Sequence, residues 1–170
     1  DHIILYDFAI HWFDICACLM GELKGETVFA VERRVAEQRV APPMSAAAVV
    51  AFPRAIASLS FHAHTLHENG EFLRVTGGKG SFTARGKICE ANRVTLAREG
   101  ERAEGTLEGD WFPDGMRGAM GELLCAIDER REPSNSAESS MRGLELCLAA
   151  VASAETGRPV RPGTVRQAGA

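Results

Sequence analysis

An excess of positive charge is the first thing this sequence lacks: 19 Lys and Arg stand against 23 Asp and Glu, a formal net charge of −4. A mildly acidic chain has no general attraction for phosphate backbones, so no nucleic-acid partner is expected. Unbroken apolar runs are also missing. The longest, residues 3–20, is interrupted by Asp7, His11 and Asp14, whereas a membrane span needs about 20 residues free of such groups. No membrane partner is therefore expected. No basic segment leads into an uninterrupted apolar one, so no signal peptide is read. The five cysteines, at 16, 18, 89, 125 and 147, cannot all pair. Scattered in a chain of this size, they indicate reduced thiols and a cytoplasmic location rather than a secreted disulfide framework. Internal repeats and low-complexity segments are absent. What remains is one ordinary soluble domain: 170 residues, 45% hydrophobic and 25% charged, are enough to bury a core. The chain opens on Asp1 and runs at once into a helical pattern, as a piece of a longer protein would.

Residues 7–20 are apolar almost all round a helical wheel. Their polar members form a single stripe, Asp7, His11, Asp14 and Cys18, at i, i+4, i+7 and i+11. A helix greasy elsewhere is mostly buried, so this stripe faces partners, a cavity or water. Residues 27–110 then read as strands: 27–34, 46–52, 55–66, 72–76, 81–85, 93–98 and 102–107. Pro53-Arg54, residues 77–80 and residues 99–101 supply the short turns. Two helices close the chain, one from Met116 to Ile127 behind Asp114 as N-cap, the other capped by Ser136 and stopped by Gly157. The tail beyond it is expected to be extended. Strands followed by helices predict an α+β fold, an open, mostly antiparallel β-sheet with helices packed on one face. Residues 46–51 are apolar on both parities, so the bare face of that sheet is expected to meet another subunit.

Asp7 and His11 are the leading candidates for chemistry. Four residues apart, they share a helix face, where a carboxylate can support an imidazole that takes and returns a proton near neutral pH. A core histidine satisfied by its neighbour has the same spacing. Asp14 reads as structural, bonding a neighbouring loop. His62, His64 and His67 invite a metal reading, but a polar strand edge with Ser58 and Ser60 explains them equally well, and no metal site is expected. Cys16 and Cys18 point different ways on a helix, and Cys125 and Cys147 read as core. Gly77-Gly78-Lys79-Gly80 is followed by a strand, where a phosphate-binding loop would require a helix. Neither GxGxxG, GxSxG nor HExxH occurs.

Residues 5–14, Leu-Tyr-Asp-Phe-Ala-Ile-His-Trp-Phe-Asp, resemble the Asp-x-x-x-His helix of the glucose–fructose oxidoreductase/inositol dehydrogenase (Gfo/Idh/MocA) family, with Ala9 where glycine is common. The resemblance continues through Thr76–Gly80, Gly109-Asp110-Trp111-Phe112, residues 118–124, residues 133–137 and Gly157-Arg158-Pro159-Val160. It implies that residues 1–170 are a C-terminal substrate-binding and oligomerisation domain, with an N-terminal Rossmann domain absent from this chain. It implies further an NAD(P)-dependent dehydrogenase or reductase that transfers hydride between nicotinamide and a sugar, polyol or related hydroxy compound. The catalytic proton-transfer histidine would be His11, and Asp7 would bind or orient the substrate. NAD or NADP would be bound mainly by the missing domain, with no cofactor-binding residue in this fragment, which would be inactive alone. A homodimer or homotetramer through the open sheet face is expected. The alternative is a non-catalytic oligomerisation or ligand-binding domain of the same fold.

Overall fold

The computed structural model describes residues 2–165, and its chain divides into two units, residues 1–64 with 136–170, and residues 65–135. In the first unit a π-helical turn (Ile4–Ala9) runs directly into helix α1 (Ile10–Leu19). Three antiparallel strands follow, β1 (Thr27–Arg33), β2 (Ser45–Phe52) and β3 (Ala55–His62), in the order β1-β2-β3. Helix α3 (Ala137–Thr156) returns to the same unit, begun by Ser136, whose side chain accepts the Ser139 amide, and ended by Gly157 in the left-handed region.

Alternation sets the core. Val28 and Ala30 of β1, Ala46, Ala48, Val50 and Phe52 of β2, and Phe61 of β3 are buried. Against them lie Leu5, Ala9, Phe13 and Ala17 from the first helical segment and Leu146, Cys147, Ala150 and Val151 from α3. Phe8 meets Phe61 edge to face at 5.9 Å, the arrangement that ring quadrupoles favour. The opposite parity, Phe29, Val49 and Ile56, is exposed. The outer edge of β1 is not bare: Val28 and Val160 exchange two backbone hydrogen bonds, both 2.8 Å. The β1–β2 loop is organised by the buried side chain of Gln38. Its amide nitrogen donates to the carbonyls of Val40 (2.7 Å) and Pro42 (2.6 Å), and its oxygen accepts the Met44 amide at 3.2 Å.

The second unit is a four-stranded antiparallel meander, β4 (Glu71–Gly77), β5 (Gly80–Lys87), β6 (Glu90–Arg98) and β7 (Glu101–Thr106), in chain order. A bulge interrupts β5–β6 pairing between Arg85 and Lys87. Gly86 fills it because a Cβ there would fall 1.7 Å from the Glu90 carbonyl oxygen. Helix α2 (Met116–Glu129) follows and ends at Arg130 in the left-handed region.

All seven expected strands form, and the α+β class holds, but they pair as two ladders of three and four strands. Other expectations need correction. The third strand stops at His62, short of Leu66. Asp114 does not cap α2. Its Oδ2 instead accepts the Asp110 amide at 2.9 Å, and Gly115 occupies the cap position. Cys125 is exposed rather than core, whereas Cys147 is fully buried. Val160 pairs with Val28, and residues 166–170 of the expected tail lie outside the described residues. No described helix is long and apolar enough to cross a membrane.

Candidate active site

The first helical segment turns Ile4, Leu5, Ala9, Phe13, Cys16 and Ala17 into the core. Its other side carries the stripe read from spacing: Asp7, His11 and Cys18 are exposed and Asp14 is half-buried. Asp7 belongs to the π-helical turn and His11 to α1. Within the π turn the backbone bonds run i to i+5, a wider spiral that recurs at functional sites. The Cys147 thiol donates to the Leu5 carbonyl inside this turn, at 3.3 Å. The arrangement gives an accessible imidazole and an accessible carboxylate on one side of an anchored helix. That pair can bind a hydroxyl and exchange its proton.

Asp14, expected to bond a neighbouring loop, lies against helix α3. A Cβ on Gly143 would sit 2.6 Å from the Asp14 Cα and 2.8 Å from its Oδ1. Burial pushes the Asp14 carboxyl above the ordinary aspartate range, and the nearby His11 opposes the shift. Burial also pushes the Cys16 and Cys147 thiols up to about 11, which keeps both protonated.

The three histidines of the middle segment have separate surroundings. His62 lies between the hydroxyls of Ser45 (2.9 Å) and Ser60 (3.0 Å). His64 lies beyond the strand with its Nε2 buried and unpaired, and His67 is exposed. Among the described residues no group of three His, Cys, Asp or Glu could hold a metal ion. Gly78 and Lys79 form a tight turn between β4 and β5, so their amides do not open a helix.

Sequence reasoning missed a polar cluster at the start of the first helical segment. His2 Nδ1 bonds the Glu32 carboxylate, and its Nε2 lies 3.1 Å from Glu155 Oε1. The second Glu32 oxygen and the Tyr6 hydroxyl are buried without partners. Burial, then Cys147 and Glu155, raise the Tyr6 phenol. A signal existed: Glu32 shares the inward parity of Val28 and Ala30, where a lone carboxylate demands a partner.

The family model described as "Oxidoreductase family, C-terminal alpha/beta domain" matches residues 4–161. Among curated proteins none matches. Similar solved structures include an oxidoreductase from Agrobacterium radiobacter in complex with NAD+, L-tartaric acid and magnesium. It is 18% identical with a TM-score of 0.76, covering 93% of this chain and 48% of that one. A UDP-N-acetylglucosamine 3-dehydrogenase from Acidithiobacillus ferrooxidans is 16% identical with a TM-score of 0.75, covering 92% and 48%. A dehydrogenase from Bordetella pertussis in complex with NADH and UDP-GlcNAcA is 18% identical with a TM-score of 0.70, covering 95% and 46%. The likeness at these identities is one of fold, and the chain spans about half the length of each.

Proposed function

Because this chain belongs to the oxidoreductase family, as its C-terminal α/β domain, we propose that the whole protein is an NAD(P)-dependent dehydrogenase or reductase acting on a sugar, polyol or related hydroxy compound. The observation that carries the reading is the accessible Asp7–His11 side of a helix otherwise fixed in the core. His11 takes the hydroxyl proton as the alcohol becomes a carbonyl, or returns it in the reverse direction. Asp7, whose carboxylate accepts hydrogen bonds, holds a substrate hydroxyl beside it. The nicotinamide, when bound, supplies the hydride acceptor or donor.

The described residues do not fit a dinucleotide. Their one run of closely spaced glycines is a strand-to-strand turn, whereas pyrophosphate is held where a glycine loop opens a helix. The cofactor is therefore assigned mainly to a Rossmann domain outside this chain. Neighbours in complex with UDP-GlcNAcA or named for UDP-N-acetylglucosamine support a carbohydrate-like substrate. Self-association is assigned to the outer face of the first sheet, through Phe29, Val49 and Ile56.

Two measurements test the proposal. His11→Ala in the full-length protein is expected to lower kcat for NAD(P)-linked turnover by about 100-fold or more, the usual scale for losing a proton-transfer group. Unchanged turnover would remove His11 from the chemistry. Calorimetric titration of the 170-residue chain with NAD is expected to show no stoichiometric binding, and tight binding would overturn the assignment of the cofactor to another domain.

A further inference from the structure

We propose that the polar face of the four-stranded meander binds a small phosphate-bearing anion, clamped between Arg85 and Arg93. The site belongs to the second unit, whereas Asp7 and His11 belong to the first, and it stands whether or not the whole protein is a dehydrogenase.

Strand register sorts the side chains of β4–β7. Residues paired directly across strands share a face, and so do alternate residues along one strand. One face collects Leu73, Val75, Phe82, Ala84, Val94 and Leu96. The other carries the row Phe72, Arg85, Arg93 and Thr106 beside the row Arg74, Thr83, Thr95 and Glu104. Phe72, Arg74, Arg85 and Arg93 are all exposed.

Arg85 stands directly opposite Arg93, which puts their Cβ atoms about 5 Å apart. Like charges so placed repel. The rest of the meander avoids such a clash: Lys87 faces Glu90, and Arg98 faces Glu101. Glu104, the acid of the arginine face, is taken by Arg102, whose Nε donates to it at 2.7 Å. No ion pair among the described residues joins Arg74, Arg85 or Arg93 to a carboxylate. The Arg85 guanidinium instead lies 5.2 Å over the Phe72 ring, a stacking that steadies its plane. Arg74 is held lightly, its Nε donating to the Thr76 hydroxyl at 3.4 Å. A local rule broken without a compensating contact marks a place that serves something other than stability.

The chemistry of the arginines names the missing counter-charge. A guanidinium is a planar fork of N–H donors with no acceptor, suited to oxyanions. Two opposed forks match the several oxygens of a tetrahedral phosphate better than the two of a carboxylate. Thr83 and Thr95, paired in the adjoining row, add hydroxyls beside them. The chain as a whole carries a charge of −4. A long polyanion would be repelled outside these few arginines, so the ligand that fits is small.

The test measures the thermal midpoint of the 170-residue chain against inorganic phosphate, with chloride holding ionic strength constant. The wild-type midpoint should rise saturably, as it does for any ligand of the native state, and the Nε–Hε NMR signals of Arg85 and Arg93 should move with it. Arg93→Gln keeps a polar side chain on the surface. Without phosphate it should melt about 1–3 °C higher, because a cross-strand repulsion is gone, and it should no longer respond to phosphate. Arg85→Gln should lose the response too. Glucose 6-phosphate, used as a second probe, separates two sources of the same group. Binding at least tenfold tighter than phosphate assigns the site to a sugar phosphate, and equal binding assigns it to free phosphate. A wild-type midpoint indifferent to phosphate overturns the proposal, as does an undiminished response in Arg93→Gln. Tighter binding of a single-stranded oligonucleotide than of either probe would also overturn it.

Discussion

The hydroxyl of Ser153 on α3 accepts the backbone amide of Ala30 on β1 at 2.9 Å, across 123 residues of sequence, and donates to the Arg158 carbonyl at 2.7 Å. Ser153 is fully buried. One side chain thus occupies an amide on the outer edge of β1, beside the Val28–Val160 bridge, and holds the turn after α3. Ser153→Ala leaves both backbone groups without that partner. Chemical denaturation should show a loss of about 1–3 kcal/mol, the cost of an unsatisfied buried polar group. An unchanged midpoint would mean that water replaces the hydroxyl at no cost.

Neighbouring valines on β2 separate assembly from folding. Val50 is fully buried and Val49 is 46% exposed on the opposite face. Val49→Glu should leave circular dichroism unchanged while light scattering at tens of micromolar moves from an oligomer towards monomer mass. Val50→Glu buries an unpaired charge and should unfold the first unit. A wild-type chain that scatters as a stable monomer would refute assembly through this face. An oligomer indifferent to Val49→Glu would do the same.

The strand positions, the polar stripe on the first helix and the Ser136 and Gly157 boundaries of α3 were legible because each is a local rule: a strand-forming run between turns, period 3.6, or one residue's backbone preference. The features that were not legible are tertiary. Nothing around Gly143 announces that Asp14 will rest against it, and nothing around Gln38 announces that its amide will bond the Val40 and Pro42 carbonyls. Splitting the strands into two ladders depends on whether β3 and β4 exchange hydrogen bonds, which alternation does not encode. Cys125 lies off the apolar period of its neighbours, three residues from Glu122 and from Asp128, and the α2 residues Met120, Leu124 and Ile127 are themselves more than half exposed. Amphipathic spacing names a face without saying what covers it.

The five thiols should divide by accessibility. Cys18, Cys89 and Cys125 are exposed, and Cys16 and Cys147 are buried. Burial pushes the latter two up to about 11, so little nucleophilic thiolate forms at neutral pH. A disulfide-exchange reagent should label three thiols in the native chain and five in denaturant. Cys89 should be slower than its exposure suggests, since burial first, then Glu71 and Glu90, raises its thiol. Fast native labelling of all five would contradict this packing.

Acid should loosen the end of α2. Glu122 accepts both terminal nitrogens of Arg131, at 2.6 and 3.1 Å, and the Ser134 amide at 2.6 Å. These contacts, the Arg131 hydrogen bonds foremost, lower its carboxyl from 4.5 to about 2. A depressed carboxyl contributes stability that is complete above its unfolded value and lost as pH falls towards its folded value. The thermal midpoint should therefore decline between roughly pH 4.5 and 2 in a way that Glu122→Gln flattens. The pair lies at the surface, with Arg131 exposed and Glu122 half-buried, so the difference should be small and shrink in high salt. Parallel pH curves for the two proteins would dismiss the contribution.

The π-helical turn at Ile4–Ala9 also acts as an angular gear. An ordinary α-helix advances about 100° per residue, and a π turn absorbs one extra residue before the chain resumes that advance. Deleting one residue from this turn would restore regular backbone bonding while swinging everything before it round by about that angle relative to α1. Leu5 would lose the carbonyl position that the Cys147 thiol meets. The surplus residue thus sets the rotation at which Leu5 enters the core relative to the residues of α1.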